Sequence, residues 1–293
     1  NHKQADVLID GEVIAEVGTR LRARDAEQID ATDTIVMPGF VDTPRPAWTS
    51  LLRNAGERDA HANPADGGPN GYTADDVYAS TLIGLLGAAE AGITTVVDWS
   101  STGSDDLAEA ALQAHADAGV RTVFVDAAPT MTGRAVRLRD RAGPSTTIAF
   151  GAIAQGVALD GTAAAWAAAR ELGLRIHVHA NANDTISAAS ERGLLGDDVT
   201  VVHGSLLAAR DVDAIASSGA AISIAPVSEM AGGSGSPPIQ RLIDNDLRPG
   251  LAVDDVRVAP GDLFAQMRAA ISMQHATVFD RKLAGKGGVP KLM

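Results

Sequence analysis

The chain has 293 residues, 45% of them hydrophobic and 21% charged, so it can bury one large core or two ordinary ones and is not disordered. Its 24 basic residues face 37 acidic ones, and the formal charge of −13 argues against a nucleic-acid or anionic-membrane surface. Cysteine is absent, which excludes disulfides and thiolate zinc sites and leaves His, Asp and Glu to hold any metal.

The first predicted element is a β-hairpin. The segment ADVLIDGEVIAEVG alternates apolar and polar residues around Asp10-Gly11, which is a good hairpin signal. With its neighbours it predicts a small β module over residues 1–35. A larger domain is expected over residues 36–293.

The larger domain repeats one unit of roughly 25 residues, a helical stretch followed by a short β-branched run. Near-continuous apolar strands between helices are typical of a parallel sheet that is covered on both faces. Eight such runs predict an α/β fold, a (β/α)₈ TIM barrel, and the lack of a phosphate-binding Gly fingerprint disfavours an open doubly wound sheet. The runs are Thr34–Asp42, Thr94–Ser100, Arg121–Ala127, Thr146–Ile153, Arg175–Asn181, Val199–Ser205, Ala221–Val227 and Arg248–Asp255.

Four segments between these runs carry apolar residues at helical spacing, and a glycine suited to end a helix follows each of them. His115 lies in one of these helical stretches and is expected to be exposed. The segments are 74–91, 105–118, 161–172 and 205–218, followed by Gly92, Gly119, Gly173 and Gly219.

Polar residues at the carboxyl ends of the strands carry the chemistry in barrels of this kind. His177 and His179 are two residues apart in the fifth run, so their side chains point to the same side of the sheet. His203 ends the sixth run, and Asp254 and Asp255 end the eighth. A single histidine in a core strand is more often structural, but this set of three strand ends favours an active site.

Four motifs in this order resemble the amidohydrolase superfamily, especially its cytosine-deaminase and triazine-hydrolase-like branch: MPGFVDT, the histidine of the fifth run, VVHGS and VDD. The resemblance extends from about Ala5 to the end of the chain. It implies a (β/α)₈ barrel with a small β-sandwich, which is expected to be incomplete here. It also implies a divalent metal that activates water for hydrolysis at C–N or C–Cl bonds of rings.

Three residues match functional positions of this family. By the resemblance, His179 is the metal ligand of the fifth strand. His203 binds the metal or polarises the substrate, and Asp254 takes the proton from the attacking water.

The sequence departs from the family pattern at the end of the first strand, where the family has His-Arg-His and this chain has Pro44-Arg45-Pro46. Proline offers no lone pair to a metal. Ala182 stands where the family has a proton-shuttling Glu. We therefore expect no metal cofactor, with Asp254 as the general base, His203 as the acid or electrophile and His179 orienting the substrate. Such acid–base catalysis contributes about 10²- to 10⁴-fold.

Four further residues are candidates for contact with the substrate: Arg45, Trp48, Trp99 and Glu229. Arg45 could meet an anionic substrate or pair with Asp42. Trp48 and Trp99 follow the first two barrel strands and could stack on a planar ring or pack in the core. Glu229 could bond a substrate amine or remain a solvated carboxylate.

The predicted function is hydrolysis of a C–N bond in a small, cyclic, nitrogen-containing substrate, or a lyase, isomerase or cyclase reaction derived from it. Two alternatives stay open. One is a conventional metal-dependent C–N hydrolase or deaminase with a relocated divalent ion such as zinc, held by His179, His203 and Asp254 with His177 as a candidate fourth ligand, and the other is a non-catalytic binding barrel. We expect a small-molecule substrate, no nucleic acid and no membrane, and we leave a homodimer open. Without a signal-peptide pattern or a membrane-length apolar run, we expect a cytoplasmic protein.

Overall fold

The computed structural model describes residues 5–53, 71–127, 132–154, 159–180, 184–233 and 235–283. The chain divides into two compact units, Asn1–Pro38 and Gly39–Met293. Ala182, where the sequence departs from the family pattern, lies outside the described residues.

The first unit contains the predicted hairpin. Strands β1 (Asp6–Asp10) and β2 (Val13–Gly18) pair antiparallel. Gly11 in the turn between them has φ +58°, a backbone conformation that glycine adopts without strain. Residues 19–38 form no helix or strand.

The second unit is built on eight parallel strands whose order in the sheet follows the chain, as predicted. The first and last are shorter than expected. Thr34–Asp42 yields only three strand residues, and Pro38, just before them, lacks the N–H that a strand ladder needs. Gly39 packs so closely on Thr94 that a Cβ would lie 2.2 Å from its side chain. The strands are β3 (Phe40–Asp42), β4 (Ile93–Ser100), β5 (Arg121–Asp126), β6 (Thr146–Ala154), β7 (Ile176–Ala180), β8 (Val199–Val202), β9 (Ala221–Ile224) and β10 (Gly250–Leu251).

The seam between β3 and β10 is joined by bonds outside the regular strand ladder. Val253 N donates to Asp42 Oδ1 over 2.7 Å, and Asp254 N donates to Pro44 O over 3.1 Å. The hydroxyls of Thr43 and Ser223 are 2.9 Å apart. These contacts bring the first and eighth strand ends together, so the residues that follow them meet at one end of the barrel.

Helices follow most of the strands. They are α1 (Ala74–Glu90), α2 (Asp105–Ala118), α3 (Thr132–Arg141), α4 (Leu159–Glu171), α5 (Thr185–Glu191), α6 (Ala209–Ser218), α7 (Pro226–Ala231), α8 (Ile239–Asp244) and α9 (Leu263–Leu283), with a 3-10 helix at Ala47–Leu52. Gly119, Gly173 and Gly219 have positive φ and follow α2, α4 and α6, as predicted. In the described part of the chain, no helix combines the length and apolarity that crossing a membrane needs.

The two faces of β4 have different neighbours. Asp98 accepts a bond from His115 of α2, so this face of the strand is turned towards the helices. Val97 and Trp99 alternate with Asp98 and therefore face the barrel interior, where they pack with Val125 and other apolar residues.

The prediction that His115 is exposed is wrong. Its side chain is buried, with Nε2 2.7 Å from Asp98 Oδ2 and Nδ1 2.8 Å from Thr122 Oγ1. Asp98 Oδ1 also accepts the N–H of Ala47 over 2.9 Å. The buried face of α2 thus supplies the imidazole that satisfies a buried carboxylate on β4, a partner that helical spacing alone does not reveal.

Candidate active site

Two imidazoles meet at the carboxyl ends of β7 and β8. The rings of His179 and His203 have centroids 4.7 Å apart and cross at 75°. Trp99, from β4, reaches the same place and stacks on His179, with centroids 3.8 Å apart and planes 29° apart. The barrel therefore brings Trp99 together with two histidines that lie far from it in the chain, as expected for an active site at the strand ends.

Asp254 completes this cluster from the strand end after β10. Ser228 Oγ donates to its Oδ2 over 2.7 Å. Burial raises the pKa of Asp254, while His203 and the Ser228 bond oppose that rise. For His203, burial favours the neutral ring, but Asp254 and Glu229 together outweigh it and raise the pKa. Asp254 and His203 thus hold protons more readily than isolated groups would.

The pKa values of His177 and His179 are shifted in the opposite direction from that of His203. Burial lowers the pKa of His179 well below its ordinary value, and the neighbouring His203 and His177 add to this effect. The pKa of His177 falls to about 4, chiefly by burial and then by Arg175. Both rings are therefore neutral at pH 7, and the buried Nε2 of His179 has no hydrogen-bond partner among the described residues.

His203 and Asp254 share an uncommon backbone conformation. Their φ angles are 71° and 58°, in the left-handed region that residues with a Cβ rarely adopt. Such residues persist where the surrounding structure holds them, and they cluster at functional sites. The backbone turns sharply at both strand ends.

Glu229 is buried, and its carboxylate already accepts bonds from the protein. Oε1 accepts the N–H of Ala225 over 2.9 Å. Oε2 accepts the N–H groups of Gly204 and Ser205 over 3.1 and 2.9 Å, and the Ser205 hydroxyl over 2.5 Å. Oε1 also lies 3.7 Å from His203 Nδ1, too far for a hydrogen bond. The contact of Glu229 with a substrate amine stays a prediction.

Arg45 forms the ion pair that the sequence left as an alternative. Its NH1 donates to Asp42 Oδ2 over 2.9 Å, and both side chains are buried. Burial raises the pKa of Asp42 to about 6, against the attraction of Arg45. Trp48 is also buried and meets Tyr72 edge-on, with ring centroids 6.1 Å apart. The substrate contacts of Arg45, Trp48 and Trp99 stay predictions.

A cavity of about 370 Å³ lies beside Arg45 and is also lined by Ser50, Arg53, Gly84 and Val256. None of His179, His203 and Asp254 lines this cavity. It is therefore distinct from the cluster at the strand ends.

A parallel barrel with imidazoles and a carboxylate at its strand ends defines an enzyme of the (β/α)₈ class. The model of the Amidohydrolase family matches residues 35–285, and the chain belongs to this family. The resemblance drawn from the sequence motifs is thereby confirmed.

Relatives of similar sequence are deaminases. The chain is 28% identical over 304 residues to the 5-methylthioadenosine/S-adenosylhomocysteine deaminase of Halobacterium salinarum, which covers 90% of this chain and 68% of the relative. It is 26% identical over 300 residues to the 5'-deoxyadenosine deaminase of Methanosarcina mazei, covering 92% and 68%. These names confirm the predicted enzyme class, hydrolases that act on C–N bonds. The chain spans about two thirds of the length of these relatives.

Solved structures share the fold. A variant of the atrazine chlorohydrolase of Arthrobacter aurescens, complexed with zinc and atraton, is 21% identical with a TM-score of 0.77, covering 91% of this chain and 71% of that one. A zinc-bound adenosine deaminase of Xanthomonas campestris is 20% identical with a TM-score of 0.68, covering 82% and 61%.

The prediction that no cofactor is needed is wrong, because these structures of the same fold contain zinc and point to a metal in the family. The donors described in this chain do not fit such an ion. The first strand ends in Pro44 and Pro46, which carry no donor, and the described residues include no group of three His, Cys, Asp or Glu side chains arranged to hold a metal. Two buried imidazole nitrogens, of His179 and His203, lack hydrogen-bond partners there.

Sequence reasoning missed Ser228, which bonds Asp254, and the bonds that Glu229 makes to the turn after His203. In the segment PVSEM, the sequence pointed only to the carboxylate of Glu229. Proline at the first position of α7 and a Ser-Glu pair in its first turn were the available signal for a short helix with inward polar groups.

Proposed function

We propose that this protein is a hydrolytic deaminase that acts on a small cyclic amine of the nucleoside class. The deaminase names of the relatives at 28% and 26% identity support the reaction and the substrate class. The chain spans about two thirds of the length of those relatives. The activity of the whole protein is therefore proposed here by similarity to them.

The observation that carries the proposal is the convergence of Asp254, His203 and His179 at one end of the barrel. Asp254 and His203 interact through their charges, and each has a raised pKa. A carboxyl group beside an imidazole provides one group that can accept a proton and another that can donate one within the same site. This is the pairing that exchange of an amino group for a water oxygen requires.

In the proposed reaction, a ring amine and water give a ring carbonyl and ammonia. Asp254 accepts a proton from the attacking water as the C–O bond forms. That proton moves to the amino nitrogen, and the C–N bond breaks with its electron pair leaving on ammonia. The remaining hydroxyl proton moves to the ring nitrogen as the ring carbonyl forms. His203 donates a hydrogen bond to the ring nitrogen that gains electron density, and the neutral His179 orients the ring.

The test is ammonia release from a panel of amines: 5'-deoxyadenosine, 5'-methylthioadenosine, adenosine and cytosine. Each is assayed with protein prepared in zinc and with protein treated with a chelator, because zinc is present in the similar structures. We expect release from at least one nucleoside, reduced at least about 10²-fold by Asp254→Asn. The proposal fails if neither preparation releases ammonia from any amine, and binding without turnover would favour a binding barrel instead.

A further inference from the structure

Two neighbouring residues of one short helix reach the two strand ends that carry His203 and Asp254. Ser228 and Glu229 lie in the first turn of α7 and are both buried. We propose that they are positioning residues, which hold the Asp254 carboxylate and the His203 ring in the arrangement that the reaction needs. This inference rests on the proposed function insofar as it takes Asp254 and His203 as the reacting groups.

Ser228 acts on Asp254. Its hydroxyl donates to Asp254 Oδ2 over 2.7 Å. Among the described residues, Ser228 is the hydrogen-bond donor to this carboxylate. The Ser228 Oγ in turn accepts a longer contact of 3.4 Å from the N–H of Asp255. One carboxylate oxygen is therefore held in place, which fixes the plane of the group and leaves Oδ1 for the proton in transfer.

Glu229 acts on His203 through the backbone. Its Oε2 collects the N–H groups of Gly204 and Ser205 and the hydroxyl of Ser205. These bonds tie down the two residues that follow the left-handed φ of His203. Because the ring direction of His203 depends on this backbone turn, loss of the carboxylate would let the ring move, and it would also remove the attraction of Oε1, which lies 3.7 Å from Nδ1.

The helix that carries both residues is itself anchored. The N–H of Val227 donates to the buried Gln266 of α9 over 3.1 Å. Oε1 of Glu229 accepts the N–H of Ala225, the residue just before the helix. A displacement of α7 would thus shift Asp254 and His203 together, which makes this helix turn a common support for two groups from different strands.

The first test concerns Ser228. Ser228→Ala should lower kcat about 10-fold or more with little change in KM or thermal midpoint, since small misplacements of a reacting group cost up to about 10²-fold. Ser228→Thr keeps the hydroxyl and should restore most of the rate. Ser217→Ala is the control for loss of a helix hydroxyl away from the site, because Ser217 is exposed and its hydroxyl donates to Ala214 O of its own helix. Equal kcat for Ser228→Ala and Ser217→Ala would overturn the inference.

The second test compares two buried carboxylates that both accept backbone N–H groups. Asp211 accepts those of Asp184, Ser187 and Ala208. Glu229→Gln and Asp211→Asn should both lower the thermal midpoint, but only Glu229→Gln should lower kcat of the folded enzyme, by about 10-fold or more. A purely structural role for Glu229 predicts the same kcat in both variants.

Two readouts need no substrate and separate this inference from the proposed function. Amide hydrogen exchange at residues 203–206 should accelerate in Glu229→Gln and stay unchanged in Asp211→Asn. A crystal structure of Ser228→Ala should show the Asp254 carboxylate rotated. If wild type turns over no amine, the substrate class fails, while these two results would still support the positioning role. Unchanged exchange and an unmoved Asp254 would overturn it whatever the substrate is.

Discussion

Trp99 lies nearly flat against His179, with ring centroids 3.8 Å apart and planes 29° apart. Trp99 is buried and His179 is partly buried, and burial is the main reason that the pKa of His179 falls. The indole thus provides an apolar wall that keeps the imidazole neutral. One face of His179 is covered by protein, so a ligand has only the other face and the ring edge.

Removing this wall should affect activity beyond its effect on stability. Trp99→Leu is expected to lower kcat at least 10-fold, about a 1.4 kcal/mol effect, because His179 gains freedom and water, whereas Trp99→Phe keeps an aromatic face and should retain most activity. Trp166→Leu, in a buried tryptophan of α4, is the control for cavity formation. Both Leu variants should cost about 3 kcal/mol in urea unfolding, and equal kcat values for the two would contradict the predicted role of Trp99.

Asp254→Asn should separate chemistry from folding. Asparagine tolerates the left-handed φ of 58°, and burial disfavours the charge of Asp254, so we expect an unchanged or higher thermal midpoint. The rate should fall by about 10² to 10⁴, because the amide cannot accept a proton.

Asp246→Asn is the control substitution for this prediction. Asp246 has the same φ of 58° but is exposed and lies outside the cluster at the strand ends. Its exchange should alter neither kcat nor the thermal midpoint. Substantial activity in Asp254→Asn would assign the base to another group.

The sequence predicted the barrel well because its strands are buried on both faces and so appear as uninterrupted apolar runs. The same regularity placed His179, His203 and Asp254 at one end, since parallel strands present their carboxyl ends together. What the sequence could not provide were contacts between distant segments. His115 looked like an exposed helical residue because its partners, Asp98 and Thr122, lie on two other elements.

The cofactor prediction failed for a different reason. Pro44 and Pro46 do remove donors from the first strand, and this inference from side-chain chemistry stands. Missing donors on the first strand did not justify the prediction of an enzyme without metal, because the sequence of one strand does not determine whether a family depends on zinc. The roles of Ser228 and Glu229 depend on the short helix α7, whose position in space no local pattern revealed.

The Asp42–Arg45 pair predicts an unusual pH dependence of stability. An acid whose pKa rises from 3.8 in the unfolded chain to about 6 in the folded protein stabilises the fold only while protonated, so its contribution is lost as pH rises through 6. In Arg45→Gln the carboxylate has no cation beside it, and its pKa should rise further. The variant should lose about 3 to 5 kcal/mol at pH 8 and clearly less at pH 5.

Arg170→Gln is the control for this dependence. Arg170 pairs with Asp198 over 2.7 Å, and its bond to that carboxylate is the main cause of a lowered Asp198 pKa. A lowered pKa gives a contribution that is present above the ordinary value and lost only in acid, so the cost should be the same at pH 5 and pH 8. Urea unfolding at both pH values measures the two variants. A pH-independent cost for Arg45→Gln would show that Asp42 does not titrate in this range.

The buried chain from Thr122 through His115 to Asp98 should support the fold without taking part in the reaction. His115→Leu leaves the Asp98 carboxylate with the N–H of Ala47 and without its imidazole partner. Because an unsatisfied buried charged group is costly, we expect a loss of about 3 kcal/mol or more in the free energy of unfolding. The kcat of the folded fraction should be unchanged.

A double-mutant cycle resolves how this chain is shared. Thr122→Val keeps the shape of the side chain and removes the hydroxyl that lies 2.8 Å from His115 Nδ1. The losses in the free energy of unfolding of the two single variants should add up to about 1 kcal/mol more than the loss in the double variant, because each single variant removes the same hydrogen bond. Gln113→Ala, on the exposed face of the same helix, should cost less than about 0.5 kcal/mol. Strict additivity of His115→Leu and Thr122→Val would mean that the hydroxyl fixes neither the ring nor its tautomer, and that Asp98 alone determines the orientation of His115.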